Sequence, residues 1–117
     1  MKLELKENMY VRTKGGIIDK ILKLNKSYVK GVSQKDELYA YDIDNIVKAS
    51  YNIIDILEVG DYVNGDKIFN IDDCKGAMRQ FYYDYENPND DVGHWQEEIK
   101  SVITHEQMEQ MAYKVSD

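Results

Sequence analysis

The chain contains two stretches in which strand-like and turn-like residues follow one another in the same order. Residues 5–11 read LKENMYV and residues 57–63 read LEVGDYV, so that the two Tyr-Val pairs lie 52 positions apart. Each stretch is followed by a glycine turn, Gly15-Gly16 or Asn64-Gly65, and then by an alternating apolar strand. Tight hairpins need residues that accept positive φ at these positions. The pattern predicts two hairpins of the same design and indicates an internal duplication.

Each copy also ends on a similar apolar segment, residues 43–50 in the first and residues 99–104 in the second. A strand, a glycine turn, a second strand and a short closing strand are typical of SH3-like barrels. The ten tyrosines suit such thin β structures. We therefore predict a mainly β (β-rich α+β) fold with two SH3-like units in tandem, over residues 1–52 and 53–117. Because units of this size are marginal alone, we expect one compact body.

Two short helical segments are predicted beside the strands. The sequence Asn52-Ile53-Ile54-Asp55 indicates a capped helical turn that links the two units, with the Asn52 side chain accepting from backbone N–H groups. Thr104, followed three residues later by Gln107, indicates the start of a helix over residues 104–111. Met108 and Met111 lie on one face of that helix, where methionine is usually core filler.

Composition argues against a membrane span or a disulfide scaffold. No stretch approaches the roughly 18 apolar residues of a spanning helix, and residues 1–7 alternate in charge instead of opening a signal peptide. The single cysteine, Cys74, excludes an internal disulfide and fits a reducing compartment. We expect a cytoplasmic protein.

Charge is distributed unevenly between the two halves. Residues 1–52 contain 10 basic and 7 acidic residues, a net charge of +3, whereas residues 53–117 contain 5 basic and 15 acidic residues, a net charge of −10. Such asymmetry points to a charged partner. A basic strip on the first unit would be compatible with DNA or RNA, although the acidic half would repel the same phosphates. The lysines of that strip are Lys14, Lys20, Lys23, Lys26 and Lys30, and protection of a sheet edge is the simpler explanation for them.

Residues 81–98 form the most unusual segment. They contain five aromatic residues and six carboxylates without a single Lys or Arg. The segment is predicted to form a β-hairpin whose acidic residues either face solvent or contribute to a protein-binding surface. For that surface we predict Tyr82, Tyr83, Tyr85 and Trp95 as anchors, with a charge pattern made by Asp84, Glu86, Asp90 and Asp91.

No catalytic, metal or cofactor motif is present. Residues 84–88 lack the third ligand that a calcium loop needs, and Gly15-Gly16 matches no nucleotide-binding motif. A zinc site from Cys74, His94 and His105 would have no closely spaced ligand pair. Asp72 and Asp73 would disfavour a Cys74 thiolate nucleophile. We predict a protein that is not an enzyme and has no metal or cofactor.

Three blocks of the sequence, residues 46–55, 59–65 and 99–115, resemble a family of small uncharacterised proteins encoded by phages and prophages of Firmicutes, especially clostridia. The resemblance covers most of the chain and implies no catalytic residues. Residues 81–98 depart from it. The resemblance implies a phage accessory protein that acts in the host cell.

The favoured hypothesis is that the chain binds and inhibits a host protein, such as a CRISPR effector, through an acidic surface that imitates nucleic acid. Two alternatives stay open at this point. One is a nucleic-acid-binding SH3-like module, and the other is a decoy that binds a small nucleotide signal. Because unpaired barrel edges invite pairing, a homodimer is also plausible.

Overall fold

The computed structural model describes residues 4–24, 28–33, 38–84 and 93–111. It is mainly β, as predicted, with two five-stranded antiparallel sheets and a short helix. In the described part of the chain, no helix has the length and apolar character needed to cross a membrane.

The first sheet has the strand order β4-β3-β2-β1-β5, and the second has the order β10-β6-β7-β8-β9. When the strands of each sheet are renumbered from 1 in chain order, and the second sheet is read from its β9 edge, both sheets have the strand order 4-3-2-1-5. The strands of the first sheet are β1 Tyr10–Thr13, β2 Ile18–Leu24, β3 Tyr28–Ser33, β4 Leu38–Asp42 and β5 Ile46–Ser50. The strands of the second sheet are β6 Tyr62–Val63, β7 Asp66–Ile71, β8 Gln80–Tyr83, β9 His94–Trp95 and β10 Val102–Ile103. The assignment of these sheets to separate units over residues 1–52 and 53–117 stays a prediction.

In the described part of the chain, 3-10 helices lie between strands over Ile43–Asn45, Ile53–Ile56, Gly76–Met78 and Gln96–Glu98. In both sheets such a helix comes shortly before the last strand, Ile43–Asn45 before β5 and Gln96–Glu98 before β10.

Both predicted hairpins are present, β1 with β2 and β6 with β7. Gly16 has φ of 84°, and Asn64 and Gly65 have φ of 54° and 89°. Positive φ at two successive residues is the requirement of the two-residue turn that joins twisted antiparallel strands. Asn64 and Gly65 meet this requirement between β6 and β7, whereas in the Gly15-Gly16 pair the positive φ is at Gly16 alone.

Each sheet covers its own apolar cluster. The first cluster comprises Val11, Ile21, Val29 and Ile46. The second comprises Ile54, Leu57, Val63, Ile68, Phe81, Tyr83 and Val102.

The predicted turn between the sheets exists as the 3-10 helix Ile53–Ile56, but its expected cap is wrong. The Asn52 side chain makes no cap hydrogen bond; its Oδ1 accepts from Gln96 Nε2 at 2.8 Å. The turn is held instead by its apolar residues, since Ile54 and Ile56 are fully buried.

Helix α1, His105–Met111, begins as predicted. The Thr104 hydroxyl accepts from the Gln107 N–H at 3.2 Å, and Gln107 Oε1 accepts from the Thr104 N–H at 3.0 Å, which is a capping box. The expectation that Met111 fills the core is wrong, because its side chain is 65% exposed. The helix contacts the β1–β2 turn through polar groups: the Thr104 hydroxyl donates to the Gly16 carbonyl at 2.6 Å.

Candidate functional site

Strand β8 decides which predicted anchors face solvent. Successive residues of a strand point to opposite faces. Phe81 and Tyr83 point into the second core, where Tyr83 is 5% exposed and its ring meets that of Phe81 edge-on at 5.4 Å. The Tyr83 hydroxyl accepts from Asn64 Nδ2 at 3.2 Å. Tyr83 is thus a core residue, and its prediction as a partner-binding anchor is wrong.

Tyr82 lies on the opposite, outward face of the second sheet. Trp95 on β9 pairs with Gln80 on that face, two residues along β8 from Tyr82, and its side chain is 46% exposed. Diagonal neighbours in such a pair lie roughly 7–8 Å apart. The structure therefore places two of the four predicted aromatic anchors, Tyr82 and Trp95, on the same face of the second sheet.

A β-bulge adds a third aromatic residue to this face. The register of β7 against β8 shifts between Ile68 and Asn70, which leaves Phe69 as the extra residue. Bulges re-aim side chains in this way. Phe69 is 38% exposed, and its ring centroid lies 6.4 Å from that of Tyr82. We refer to Phe69, Tyr82 and Trp95 as the aromatic face.

The Glu98 carboxylate holds the backbone of β9 in place. It accepts from the Trp95 N–H at 2.7 Å and lies 3.1 Å from Nδ1 of His94. Both hydrogen bonds lower the pKa of Glu98, and the one with His94 has the larger effect. The His94 ring packs against Tyr83 at 4.7 Å. The backbone of Trp95 is therefore held in place, while its ring points outward and is exposed to solvent.

Exposed carboxylates flank the aromatic face. Asp84 follows β8, with its N–H donating to the Lys67 carbonyl at 2.8 Å, and Glu97 and Glu98 follow Trp95. The remaining predicted members of the charge pattern and the fourth aromatic anchor lie outside the described residues: Tyr85, Glu86, Asp90 and Asp91.

The outward face of the first sheet is basic instead. Lys20, Lys23 and Lys30 are exposed, Lys23 pairs directly with Lys30 across β2 and β3, and Lys20 Nζ lies 5.6 Å from the ring centroid of Tyr10. Lys14 is exposed in the β1–β2 turn, and Lys26 lies outside the described residues.

The two sheets are joined by a buried charge cluster. The Arg12 guanidinium on β1 contacts Asp61, just before β6, through two parallel hydrogen bonds of 2.6 and 2.9 Å, and both side chains are fully buried. Asp61 also accepts from the backbone N–H groups of Glu58 at 2.7 Å and His105 at 3.0 Å. These four hydrogen-bond donors compensate the free-energy cost of burying the Asp61 carboxylate.

Four half-exposed side chains complete this cluster on its solvent side: Lys48, Glu58, His105 and Glu106. Arg12 donates to Glu106 at 2.5 Å, and His105 Nε2 contacts Glu58 at 2.8 Å. The hydrogen bond to Glu58 raises the pKa of His105. Burial raises the pKa of Glu58, but hydrogen bonds with His105 and Lys48 outweigh it and leave that pKa lowered.

Sequence reasoning missed this cluster. The available signal was Arg12 itself, one of only two arginines among 15 basic residues. Arginine is preferred over lysine where a guanidinium must meet a carboxylate with two parallel hydrogen bonds in a buried position. Among the described residues, Glu58, His105 and Glu106 also form a group compatible with a metal ion. This group includes neither Cys74 nor His94.

No family model, curated protein or solved structure matches the chain. The resemblance to phage and prophage proteins therefore stays a prediction.

Proposed function

We propose that this chain is a non-enzymatic protein that binds a basic surface of another protein through the aromatic face. The observation that carries the proposal is the exposure of Phe69 and Trp95, with the partly exposed Tyr82, on one side of a sheet, and exposed carboxylates close to them in sequence at Asp84 and Glu97. Binding energy at protein interfaces is concentrated in a few aromatic and arginine anchors surrounded by a polar rim. Exposed carboxylates favour a partner rich in lysine and arginine.

The charge of the whole second half supports the same partner. Residues 53–117 carry a net charge of −10. A surface of spaced carboxylates can bind to a basic channel that normally binds phosphates, because the lysine and arginine side chains of the channel respond to the arrangement of negative charge. We propose that the partner is a nucleic-acid-binding protein of a host cell. In this proposal the chain acts in the cytoplasm as a phage accessory protein that inhibits its partner. A defence effector of the CRISPR class is the first candidate for that partner.

We also propose that each sheet is an SH3-like unit derived by duplication. Three features support this proposal: the shared strand order, the 3-10 helix shortly before each last strand, and a bulge in the second strand of each sheet. The extra residue is Leu22 in the first sheet and Phe69 in the second, and both are exposed. In this account the second unit became a binding surface when its bulge residue became aromatic and its charge became acidic.

Comparative capture from host lysate tests the proposal. The bait proteins are the unaltered chain, the double variant Phe69→Ser/Trp95→Ser, and Leu22→Ser as a matched control at the other bulge. Loss of two anchors worth about 2 kcal/mol each reduces binding by roughly 700-fold when the two costs add. We expect one partner retained by the unaltered chain and by Leu22→Ser, lost with the double variant, and displaced by excess duplex DNA.

Replacement of Asp84, Glu86, Asp90 and Asp91 by Asn or Gln is expected to weaken capture of the same partner while leaving Tm nearly unchanged. Equal capture by the unaltered chain and the Phe69→Ser/Trp95→Ser variant would refute the role of the aromatic face. Capture that duplex DNA does not displace would refute the proposed chemistry of the partner.

A second candidate function rests on the outward lysines of the first sheet. Lys20, Lys23 and Lys30 share one face with the Tyr10 ring, and a basic face with an aromatic side chain is typical of nucleic-acid-binding sheets. Charge reversal at Lys20, Lys23 and Lys26 is then expected to abolish a salt-sensitive mobility shift with oligonucleotides. Absence of any shift at low salt excludes this candidate.

A further inference from the structure

Three metal-ligating atoms converge at the junction between β1, the segment before β6 and the start of α1. Nε2 of His105 lies 2.8 Å from Oε1 of Glu58 and 3.2 Å from Oε1 of Glu106, and the three atoms all lie within 4.8 Å of one another. Ligands bound tetrahedrally at about 2.0–2.1 Å from a zinc ion are separated from one another by about 3.3 Å. The two nitrogen–oxygen distances are already close to that separation.

Neighbouring residues fix the orientation of both carboxylates. Lys48 Nζ contacts Oε2 of Glu58 at 3.2 Å, which leaves Oε1 directed toward His105. Arg12 donates to Glu106 Oε1, and Asp61 in turn holds Arg12. A carboxylate oxygen has several acceptor sites and can contact a guanidinium while ligating a metal. Such outer contacts orient ligands in metal sites and reduce the rearrangement that binding requires.

The charge balance favours an added cation. Arg12 and Lys48 contribute two positive charges, and Glu58, Asp61 and Glu106 contribute three negative charges, so the cluster sums to −1 when His105 is in the neutral form that binds a metal. The point where the three ligand atoms meet also lies at the partly exposed edge of the cluster, where an ion and its water ligand have access. A site with three protein ligands and an accessible position is the arrangement of open zinc sites.

We propose that Glu58, His105 and Glu106 form a binding site for a divalent transition-metal ion of the zinc class. The imidazole nitrogen selects such ions over Mg²⁺ and Ca²⁺, which prefer oxygen ligands alone. The ion takes the place of the proton on Nε2 and joins the start of α1 to the segment before β6. The site therefore stabilises the junction of the two sheets and is independent of the aromatic face.

Thermal unfolding with added metal tests the site. The protein used is the full chain with Cys74→Ser, since Cys74 is exposed and its thiol is itself a zinc ligand. At a zinc concentration 100-fold above Kd, we expect ZnCl2 to raise Tm by roughly 10 °C over the EDTA-treated protein. MgCl2 at the same concentration is expected to leave Tm unchanged. The added substitution His105→Gln is expected to abolish the zinc effect, and His94→Gln at the other histidine is expected to retain it.

Nuclear magnetic resonance of the same Cys74→Ser protein gives a test that needs no further variant. Zinc is expected to shift the ring resonances of His105 while leaving those of His94 in place. Absence of a zinc-dependent rise in Tm, an equal rise in the His105→Gln protein, or zinc-dependent shifts at His94 alone would overturn the proposal.

Discussion

Substitution of Arg12 by methionine should destabilise the protein more than any change of a surface charge. Arg12 is fully buried and donates twice to Asp61, once to the Ile56 carbonyl and once to Glu106. Methionine fills much of the same volume but leaves the Asp61 carboxylate buried without a counter-charge. Breaking a buried ion pair at one partner costs about 3–5 kcal/mol. A domain of this kind is stable by about 5–15 kcal/mol, so the loss is a large share of the total.

Urea unfolding followed by circular dichroism measures this cost as the change in the free energy of unfolding. Arg79→Met is the matched control, because Arg79 is the other arginine and its ion pair with Asp55 is long, at 3.6 Å, and partly exposed. We expect Arg79→Met to cost about 1 kcal/mol.

A second substitution separates two contributions to the cost of Arg12→Met, the unpaired buried charge of Asp61 and the loss of packing. Asp61→Asn removes the charge and keeps one oxygen, which can accept from either the Glu58 N–H or the His105 N–H, since these two groups bond to different oxygens of Asp61. Arg12→Met/Asp61→Asn is therefore expected to be more stable than Arg12→Met alone, with a coupling of about 2 kcal/mol. If Arg12→Met costs no more than Arg79→Met, the view of Arg12 and Asp61 as the link between the sheets is refuted.

Three further predictions concern single positions. Gly16→Ala is expected to cost about 2–4 kcal/mol in urea unfolding, because φ is 84° and an added Cβ would lie 2.6 Å from Cβ of Glu106, whereas Gly15→Ala has free space and should cost under about 1 kcal/mol. Tyr83→Ala is expected to cost about 3–5 kcal/mol and Trp95→Ala under about 1 kcal/mol; similar costs would contradict the assignment of one ring to the core and the other to the surface. Hydrogen bonds with His94 and the Trp95 N–H lower the pKa of Glu98, so its ionised form stabilises the fold above the ordinary carboxyl value of 4.5 and this contribution is lost as the pH falls below that value. Glu98→Gln should therefore lower Tm at pH 6, and by progressively less as the pH is lowered below 4.5.

The local features of the fold could be predicted from sequence where a residue type is tied to one backbone conformation. Asn64-Gly65 indicated a tight turn because both residues accept positive φ, and Thr104 with Gln107 indicated a helix start because the two side chains satisfy each other's backbone donors. The mainly β class followed from such turns and from alternating apolar residues.

The face on which each aromatic residue lies could not be predicted. Tyr82 and Tyr83 have the same chemistry, and only the register of β8 decides which of them is buried. Phe69 reached the outward face through a bulge, which adds one residue to the strand and has no signature in this sequence.

The charge cluster was missed for a related reason. Its members Arg12, Asp61 and His105 are far apart in sequence and meet only when the two sheets and α1 pack together. Met111 shows the converse case, since a helical spacing typical of core residues occurs on a helix that packs through polar groups.

Photo-crosslinking tests most directly whether the aromatic face binds a basic partner. Benzoylphenylalanine is introduced at Trp95 or Phe69, and at Leu22 on the first sheet as a control that is more exposed than either. The captured complex is irradiated at low salt and again in the presence of excess duplex DNA. We expect crosslinks from Trp95 and Phe69 to a basic surface of one partner, none from Leu22, and loss of the crosslinks when DNA competes. Equal crosslinking from Leu22, or crosslinks from Trp95 and Phe69 that DNA leaves unchanged, would contradict the account.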